Sequence, residues 1–456
     1  MTHVLQQHLL QVSETGRRAG ICSVCSAHPW VLRASAEQAR EDGSLLLIEA
    51  TSNQVNQTGG YTGMRPADFR RLAEQIAETA GLDRSRLVMG GDHLGPNPWR
   101  SSGPEVAMAN ALEMVREYAA AGFSKIHLDA SMPCRGELAV LTDADVAARA
   151  AKLCAAAEEG AAAAGLPGPV YVIGTEVPTP GGATHDLGEL AVTSPEGAQQ
   201  TMEIHEEAFA KAGLDAAWRR VLALVVRPGV EFDHDTVVDY SHAKATHLAK
   251  WLSARAGAVV FEAHSTDYQT PAATAQLVQD GFAILKVGPA LTFAMREALF
   301  ALAIMERELV EAEKASRLRE VMEQVMLTEP APWVPYYGGN AEDQRRLRVY
   351  SYSDRMRYYW NHPAVKRSVS RLIENLKHAG IPETMLSALL PAQYERVRGA
   401  TLKNDPEALI LDRVRDVLRM YAAACSQSPW RRTKARVPGH TSEQRHAAVA
   451  NHEVLD

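Results

Sequence analysis

Cysteine, long apolar runs and basic charge are all scarce in this sequence, and each scarcity argues against a class of protein. Only 5 of the 456 residues are cysteine, and their scattered positions suit a reducing compartment rather than a disulfide framework. No apolar run approaches the ~20 residues of a membrane-spanning helix, and the amino terminus lacks the pattern of a secretion signal. We therefore expect a soluble cytoplasmic protein without a membrane partner.

The charge balance is mildly acidic, because 48 Lys and Arg face 55 Asp and Glu and give a net charge of -7. This balance argues against a surface that coats nucleic acid, so no nucleic-acid partner is expected, although a local phosphate pocket remains compatible with it. Because 46% of the residues are apolar and 23% are charged, a sizeable core can form and global disorder is not expected.

Motifs that bind nucleotides or activate a serine nucleophile are missing as well. The sequence has no GxxxxGK[ST] loop and no GxGxxG between a strand and a helix. It also lacks the protein-kinase signature set and a GxSxG elbow. These absences disfavour a nucleotide-dependent kinase of a common type and an enzyme with tightly bound NAD, so we expect no nucleotide cofactor.

Eight short apolar runs, separated by longer alanine-rich segments, dominate the first two thirds of the chain. Each run is continuous rather than alternating, which is typical of parallel strands covered on both faces. The runs are GICSVC (20–25), LLLIEA (45–50), RLVMGG (86–91), KIHLDA (125–130), VYVIGT (170–175), VLALVV (221–226), AVVFEA (258–263) and AILKVG (283–288). The segments between them read as helices, so the pattern suits either a (β/α)8 barrel or a large doubly wound sheet.

Polar residues at the strand ends favour the barrel. A barrel gathers functional residues from the carboxyl ends of many strands, whereas an open sheet concentrates them at one switch point. Here the residues are His28, Glu49, Asp92 with His93, Asp129, Glu176, Glu231, His264 and Lys286. We predict an α/β protein with a (β/α)8, or TIM, barrel over residues 1–312.

The pattern changes after about residue 310, where helical stretches continue without any strand-like run. A proline- and aromatic-rich segment, TEPAPWVPYYGGN, interrupts them. We predict a helical extension packed on the barrel over residues 313–425. The polar residues 426–456 are predicted to be a disordered tail.

The most distinctive local motif is GGDHLGPNPW, residues 90–99. Asp92 and His93 stand together at a strand end, among glycines that let the backbone approach a ligand closely. A neutral imidazole binds zinc and related ions, and a neighbouring carboxylate can transfer a proton. For an isolated Asp-His pair a helix cap followed by a loop histidine would be the better interpretation, but the other polar strand ends favour a functional site.

A metal site follows from the convergence of the strand ends on one mouth. A catalytic zinc site needs three protein ligands and one open position. We predict a divalent ion, Zn2+ by preference with Mn2+ or another divalent ion as the alternative, bound by His93, His264 and Glu176. Glu231 and His234 are substitutes for the third ligand. Asp92, Glu176 and Glu231 are the predicted proton-transferring residues.

The other polar strand ends are candidates for substrate contacts. Amides such as that of Asn53 bind sugar hydroxyls, although Asx turns explain them equally well. Lys286 suits a Schiff base, a phosphate contact or an ion pair, and barrels often bind phosphate after their last two strands. The predicted substrate- and phosphate-binding residues are Glu49, Asn53, Asp129, Arg227, Gly229, Ser265, Thr266, Lys286 and Gly288.

Long motifs of the sequence resemble the GatZ/KbaZ family. They include GICSVCSAHPWVL, IEATSNQVNQTGGYTGM, GGDHLGPNPW, GFSKIHLDASMPC, YVIGTEVPTPGG, FEAHSTDYQTP and SYSDRMRYYWNHPAVKRSV, and the resemblance spans about residues 18 to 425. Family members are companion subunits of class II D-tagatose-1,6-bisphosphate aldolase, sometimes labelled tagatose-6-phosphate kinases. Related proteins are described as metal-dependent D-tagatose 6-phosphate 4-epimerases. The resemblance implies a class II aldolase-like barrel and a place in galactitol, N-acetylgalactosamine or tagatose catabolism.

The class II aldolases also imply roles for particular residues. Asp92 and His93 match the proton-transferring aspartate and the metal-binding histidine of their third strand, and His264 matches the histidine of their seventh. On the sixth strand Ala223 stands near the place of a metal histidine. Either Glu176 or a residue of the loop after that strand completes the site, or metal binding is weakened.

Two functions remain open from the sequence. A 4-epimerase would cleave and re-form the C3–C4 bond of D-tagatose 6-phosphate and yield D-fructose 6-phosphate. A non-catalytic accessory subunit would instead stabilise and activate a class II tagatose-bisphosphate aldolase as its partner. The tagatose-6-phosphate kinase activity is less favoured, because no nucleotide motif supports it. We also expect a homo-oligomer.

Overall fold

Eight parallel strands close into a barrel in the computed structural model, which describes residues 3–10, 18–177, 190–255 and 257–426. They are β1 (Ile21–Val24), β2 (Leu46–Thr51), β3 (Leu87–Leu94), β4 (Lys125–Leu128), β5 (Val170–Ile173), β6 (Val221–Val225), β7 (Val260–Ala263) and β8 (Phe282–Val287). Each strand pairs with the next, and β8 pairs with β1 in a register that sets Lys286 beside Ser23. The predicted (β/α)8 barrel is confirmed.

Helices connect and surround the strands. Many begin with a proline in the first turn, where its missing N–H costs nothing, and several have a Ser or Thr cap such as Thr142 or Thr270. The helices up to the end of the barrel are Val4–Leu9, Pro29–Asp42, Pro66–Thr79, Pro104–Ala120, Asp143–Ala163, Pro195–Lys211, Asp215–Trp218, His242–Ser253, Pro271–Gln279 and Pro289–Leu309. Those that follow are Leu318–Thr328, Ala341–Tyr350, Pro363–Ala379, Glu383–Leu389, Pro391–Arg398 and Pro406–Cys425.

Apolar side chains fill the amino-terminal end of the barrel. Residues at the strand starts, such as Ile21, Val170 and Leu222, pack there with Leu5 and Leu9 of the first helix. That helix therefore closes the end of the barrel opposite to the site. A small antiparallel hairpin, Glu231–Phe232 with Val237–Val238, follows β6.

The last helix, Pro406–Cys425, is part of the wall around the barrel. It packs on β1 and on the helices Pro29–Asp42, Pro271–Gln279 and Pro289–Leu309. Its residues Leu409 and Tyr421 are fully buried, and the carbonyl of Cys425 accepts a hydrogen bond from the backbone of Gly20 (3.1 Å). In the outer ring this helix stands between the helix that follows β7 and the helix that follows β1.

None of the helices in the described part of the chain combines the length and hydrophobicity that crossing a membrane requires. The predicted tail lies outside the described residues, apart from Ser426.

Candidate active site

A cavity of about 290 Å³ opens at the carboxyl ends of the strands. Its floor includes Asp92, His93, His264 and Lys286. Its rim combines barrel loops with residues that lie well beyond the barrel in the sequence, namely Tyr336, Arg355, Arg357, Tyr358 and Asn361. The cavity therefore has two layers, a buried floor supplied by the barrel and a rim partly supplied by the extension.

Strand geometry explains why the floor is polar. Side chains two positions apart on a strand point to the same face, and β4 carries Lys125 and His127 in this relation. Glu262 on β7 and His264 just beyond it repeat the pattern. All four side chains are buried, so the carboxyl-terminal half of the barrel interior is lined by charge instead of by aliphatic groups.

Two lysines and three carboxylates form a buried ion-pair network. Lys125 Nζ lies 2.6 Å from both Glu49 Oε1 and Glu262 Oε2. Lys286 Nζ bonds the other oxygen of Glu49 and lies 2.8 Å from Asp92 Oδ1. Burial opposes protonation of Lys286, but the carboxylates raise its pKa well above its usual value. Because an ammonium group is not a nucleophile, this environment disfavours a Schiff base at Lys286.

Three imidazole rings meet above this network. The ring centroids of His93, His127 and His264 lie 4.7 to 5.2 Å apart. Each ring has a carboxylate partner at 2.9 to 3.0 Å, and such a bond fixes the orientation of a histidine. The pairs are His93 with Asp129, His127 with Asp92, and His264 with Glu262.

The backbone at two of the strand ends is strained. His93 has φ 48° and Ser265 has φ 54°, in the left-handed region that side chains with a Cβ rarely adopt. Such conformations cost of order 1–3 kcal/mol and cluster at functional sites. Both residues line the cavity, so the strain coincides with the floor of the candidate site.

Four buried side chains are arranged compatibly with a divalent metal ion. Potential ligand atoms of Asp92, His127, Glu262 and His264 all lie within 4.8 Å of one another. Nε2 of His127 is buried and has no hydrogen-bond partner in the described part of the chain, which is costly unless a ligand satisfies it. Burial lowers the pKa of His264 to about 4, so its imidazole is neutral as a metal ligand must be.

Of the three predicted metal ligands, the two histidines lie at or beside the four-residue set and Glu176 does not. His264 belongs to the four-residue set, and His93 lies beside it with Nε2 3.8 Å from Asp92 Oδ2. Glu176 does not line the cavity that the described residues form; it pairs with Arg227 and accepts a hydrogen bond from Thr193. The chain after β5 directs this carboxylate to the end of β6 instead of into the barrel.

β6 and the segment after it supply neither residue 223 nor His234 as a metal ligand. His234 bonds the hydroxyl of Ser351 (3.1 Å) and the carbonyl of Tyr336 (3.0 Å). Ala223 packs among apolar side chains inside the barrel, so β6 supplies no ligand at this position. Two members of the four-residue set, His127 and Glu262, are absent from the sequence prediction. Their signal is a charged residue or a histidine within an otherwise apolar run.

The predicted substrate-binding residues divide into four groups. Asn53, Ser265, Lys286 and Gly288 line the cavity. Glu49 and Asp129 lie behind the floor and hold Lys286 and His93 in place. The hydroxyl of Thr266 is committed to the carbonyl of Lys286 (2.6 Å). Arg227 and Gly229 do not line the cavity of the described residues.

Glu231 has a pKa suited to proton transfer near neutral pH. Burial raises its pKa to about 7, partly offset by hydrogen bonds from Ser265 and from the backbone of Phe232. Both of these neighbours line the cavity, whereas Glu231 itself is not one of the described residues that line it. Asp92, by contrast, stays ionised, because burial is outweighed by His93, Lys286 and His127, which hold its pKa well below the usual value.

Comparisons with known proteins identify the family of the chain. A family model described as D-tagatose-1,6-bisphosphate aldolase subunit GatZ/KbaZ-like matches residues 6–426. The chain belongs to this family. The resemblance seen in the sequence motifs is therefore confirmed over nearly the whole GatZ/KbaZ-like chain.

Solved structures include one similar protein at high identity. It comes from Sinorhizobium meliloti 1021, is called a probable tagatose 6 phosphate kinase, and is 48% identical with a TM-score of 0.81. The match covers 89% of this GatZ/KbaZ-like chain and 100% of that chain. A weaker likeness is to the YdjI aldolase from Escherichia coli K12, at 14% identity over 80% of this chain and 92% of that one, with a TM-score of 0.38.

Proposed function

We propose that this GatZ/KbaZ-like chain is a metal-dependent 4-epimerase that interconverts D-tagatose 6-phosphate and D-fructose 6-phosphate. The observation that carries the proposal is the set Asp92, His127, Glu262 and His264. Asp92 and His264 line the cavity, and His127 and Glu262 are buried behind them. Burying charged groups costs several kcal/mol per ion unless they are well paired. A subunit that only stabilises a partner has no need for such a buried, charged set.

The chemistry of the two sugars indicates the reaction. They differ only at C4, whose hydrogen is not adjacent to the C2 carbonyl, so a carbanion at C4 is poorly stabilised. Transient oxidation at C4 would need a nicotinamide, and the sequence has no dinucleotide fingerprint. Cleavage of the C3–C4 bond needs no oxidant, since its electron pair passes to C3 and is delocalised onto the C2 carbonyl as an enediolate.

The C4-hydroxyl proton leaves and returns along this route, and the C3–C4 bond breaks and re-forms. A carboxylate takes the C4-hydroxyl proton as the C3–C4 bond breaks, which leaves the enediolate of C1–C3 and an aldehyde at C4. The aldehyde rotates and presents its other face, the C3–C4 bond re-forms, and the proton returns to the C4 oxygen. Glu231 is the proton carrier in this proposal, because its pKa of about 7 matches the task and its neighbours Ser265 and Phe232 line the cavity.

The other floor residues stabilise negative charge. A divalent ion, Zn2+ by preference, held by Asp92, His127, Glu262 and His264 would supply Lewis-acid stabilisation of charge on the substrate oxygens. His93, the ligand that the aldolase resemblance implies, adjoins this set. The Lys286 ammonium lines the same floor and adds a fixed positive charge.

A second candidate function is the accessory one. The family description names an aldolase subunit, and no histidine occupies the strand-six position of the class II aldolases. In this role the chain binds and activates a separate tagatose-bisphosphate aldolase and converts no sugar itself. The kinase activity in the name of the S. meliloti protein lacks a supporting nucleotide motif in this sequence.

Carbon NMR of the purified chain with D-tagatose 6-phosphate and a divalent ion separates the candidates. We expect D-fructose 6-phosphate to form, to stop forming with a chelator and to return with added metal. His264→Ala abolishes the conversion, whereas His247→Ala, a change at an exposed helical histidine, leaves it intact. No conversion by the metal-loaded protein, together with activation of a class II aldolase, would establish the accessory role. ATP consumption would favour the kinase.

A further inference from the structure

The backbone donors after β8 are occupied by a side chain of the protein. Gly288 N–H and Ala290 N–H, at the start of helix Pro289–Leu309, donate to Oδ1 of Asp267 at 3.0 and 2.8 Å. In many barrels the loops after the last two strands and a helix amino terminus bind phosphate. Here Asp267, which is 3% exposed and lines the cavity, takes that position with a carboxylate.

A carboxylate in this place acts on ligands by charge. A phosphate group brought against Asp267 would face a like charge in a partly desolvated cavity, which is strongly unfavourable. A hydroxyl group, by contrast, can donate a hydrogen bond to a carboxylate. The end of a ligand that approaches Asp267 is therefore expected to be an alcohol.

Two arginines of the extension supply positive charge to the rim of the cavity. The guanidinium of Arg355 stacks on Tyr336, 3.2 Å from the ring centroid, and its Nε has no hydrogen-bond partner in the described part of the chain although the residue is 5% exposed. Arg357 donates to the carbonyl of Asp354 (3.1 Å) and to the hydroxyl of Tyr358 (3.1 Å). Both arginines line the cavity.

These arginines differ from the other cations near the mouth. Arg227 is paired with Glu176, and Lys286 with Glu49 and Asp92. Among the residues that the structure describes, neither Arg355 nor Arg357 forms an ion pair; the nearby Asp354 carboxylate faces Arg296 at 3.8 Å instead. Two buried or half-buried guanidinium groups that no carboxylate of the described residues contacts directly can bind a dianion such as phosphate.

We propose that the site selects a ketose monophosphate, with Arg355 and Arg357 binding the phosphate on C6 and Asp267 facing an unphosphorylated C1. This inference rests on the proposed function, and it adds that a 1,6-bisphosphate is rejected. The two arginines also act during the reaction. After C3–C4 cleavage they keep the phosphorylated three-carbon aldehyde in the cavity while it turns its other face.

The test is calorimetric binding with sugar alcohols, which lack the carbonyl and cannot react. D-Glucitol 6-phosphate, the corresponding 1,6-bisphosphate and inorganic phosphate are titrated into the metal-loaded protein. We expect the monophosphate to bind at least about tenfold more tightly than the bisphosphate. Arg355→Gln and Arg357→Gln should each weaken binding of the monophosphate and of inorganic phosphate by about tenfold or more. Asp267→Asn should bind the bisphosphate more tightly, which reduces the preference for the monophosphate over the bisphosphate.

Arg398→Gln is the matched control, because Arg398 is an exposed arginine of the same extension. This variant should bind the monophosphate as tightly as the unchanged protein does. Circular dichroism and thermal melting show whether each variant folds. Equal or tighter binding of the bisphosphate by the unchanged protein overturns the proposal, as does unchanged binding by both folded arginine variants. Selective monophosphate binding without any turnover would contradict the 4-epimerase function alone.

Discussion

His127 lies in the middle of β4, and its two ring nitrogens have different surroundings. Nδ1 is 3.0 Å from the Asp92 carboxylate, whereas Nε2 is buried without a partner among the described residues. Asp92 belongs to the same four-residue set, and its contact fixes the orientation of the His127 ring. The same strand face carries Lys125, which neutralises part of the carboxylate charge beneath.

Metal content tests the role of His127 against that of Glu176. We expect His127→Gln to lower the divalent metal retained after dialysis by about tenfold or more, because a ligand atom is lost. Glu176→Gln should retain the metal, because Glu176 pairs with Arg227 away from the floor. Elemental analysis of the folded variants measures both. Metal loss in the Glu176 variant, with none in the His127 variant, would restore the ligand set expected from the sequence.

The pH profile of the conversion tests Glu231. Burial raises its pKa to about 7, so the carboxylate that accepts the proton is present above pH 7 and is lost below it. We expect kcat/KM to fall about tenfold per pH unit below pH 7. Glu231→Gln should lower kcat/KM strongly, and the small remaining rate should no longer fall below pH 7. Binding of D-glucitol 6-phosphate should persist in this variant. A profile that is flat from pH 6 to 8 would assign the proton transfer to another residue.

At the scale of elements, the predictable and unpredictable features have different physical origins. The eight strands are predictable because both faces of each are covered, which produces continuous apolar runs. His93 and His264 are visible as candidates because they stand at the ends of such runs. His127 and Glu262 lie within the runs, where a single polar residue is outweighed by its apolar neighbours.

The rim is harder to predict for a topological reason. Arg355 and Arg357 follow the last barrel strand by three helices, and their local sequence gives little sign that their segment returns to the mouth. The flanking aromatic residues in SYSDRMRYYW are the one local sign, since guanidinium groups stack on aromatic rings. Long-range packing, which single-sequence patterns do not encode, determines this part of the site.

The last helix provides a stability prediction at this scale. Leu409 is fully buried against the barrel wall, whereas Met420 of the same helix is only partly buried. We expect Leu409→Ala to lower the free energy of unfolding by about 2–5 kcal/mol, because it leaves a cavity in a packed layer. Met420→Ala should cost clearly less. Urea denaturation of both variants measures the difference, and equal losses would show that this helix does not pack as described.

At the scale of the whole molecule, acid should destabilise the fold through buried neutral histidines. Burial lowers the pKa of His205 to about 4, and its Nδ1 bonds the carbonyl of Thr201 at 2.8 Å. Because the unfolded chain takes up this proton below pH 6.5 and the folded chain only below about pH 4, stability falls as the pH is lowered between these values. The contribution of this residue is of order 3 kcal/mol.

Unfolding measured at pH 7 and pH 4.5 checks this linkage. The loss of stability between the two pH values should be smaller in His205→Gln than in the unchanged protein, because the variant has no proton to take up on unfolding. His247→Gln, at an exposed position, should keep the full loss. An identical loss in all three proteins would mean that His205 titrates normally in the folded state.

The whole molecule also joins two parts of the chain in one site. The barrel supplies the buried floor, and the extension supplies Arg355 and Arg357 at the rim. A catalyst that cleaves its substrate and rejoins the pieces must hold both fragments at once. The floor would hold the enediolate and the rim the phosphorylated aldehyde, so the extension is expected to be as necessary for turnover as the barrel.

The most direct test of this account is NMR of D-tagatose 6-phosphate labelled with deuterium at C4, incubated in ordinary water with the purified, metal-loaded chain. Cleavage of C3–C4 leaves the C4–H bond intact. The account therefore predicts D-fructose 6-phosphate that keeps its deuterium and forms as fast as from unlabelled substrate. Loss of deuterium to water, a markedly slower reaction of the labelled sugar, or no product at all would contradict it.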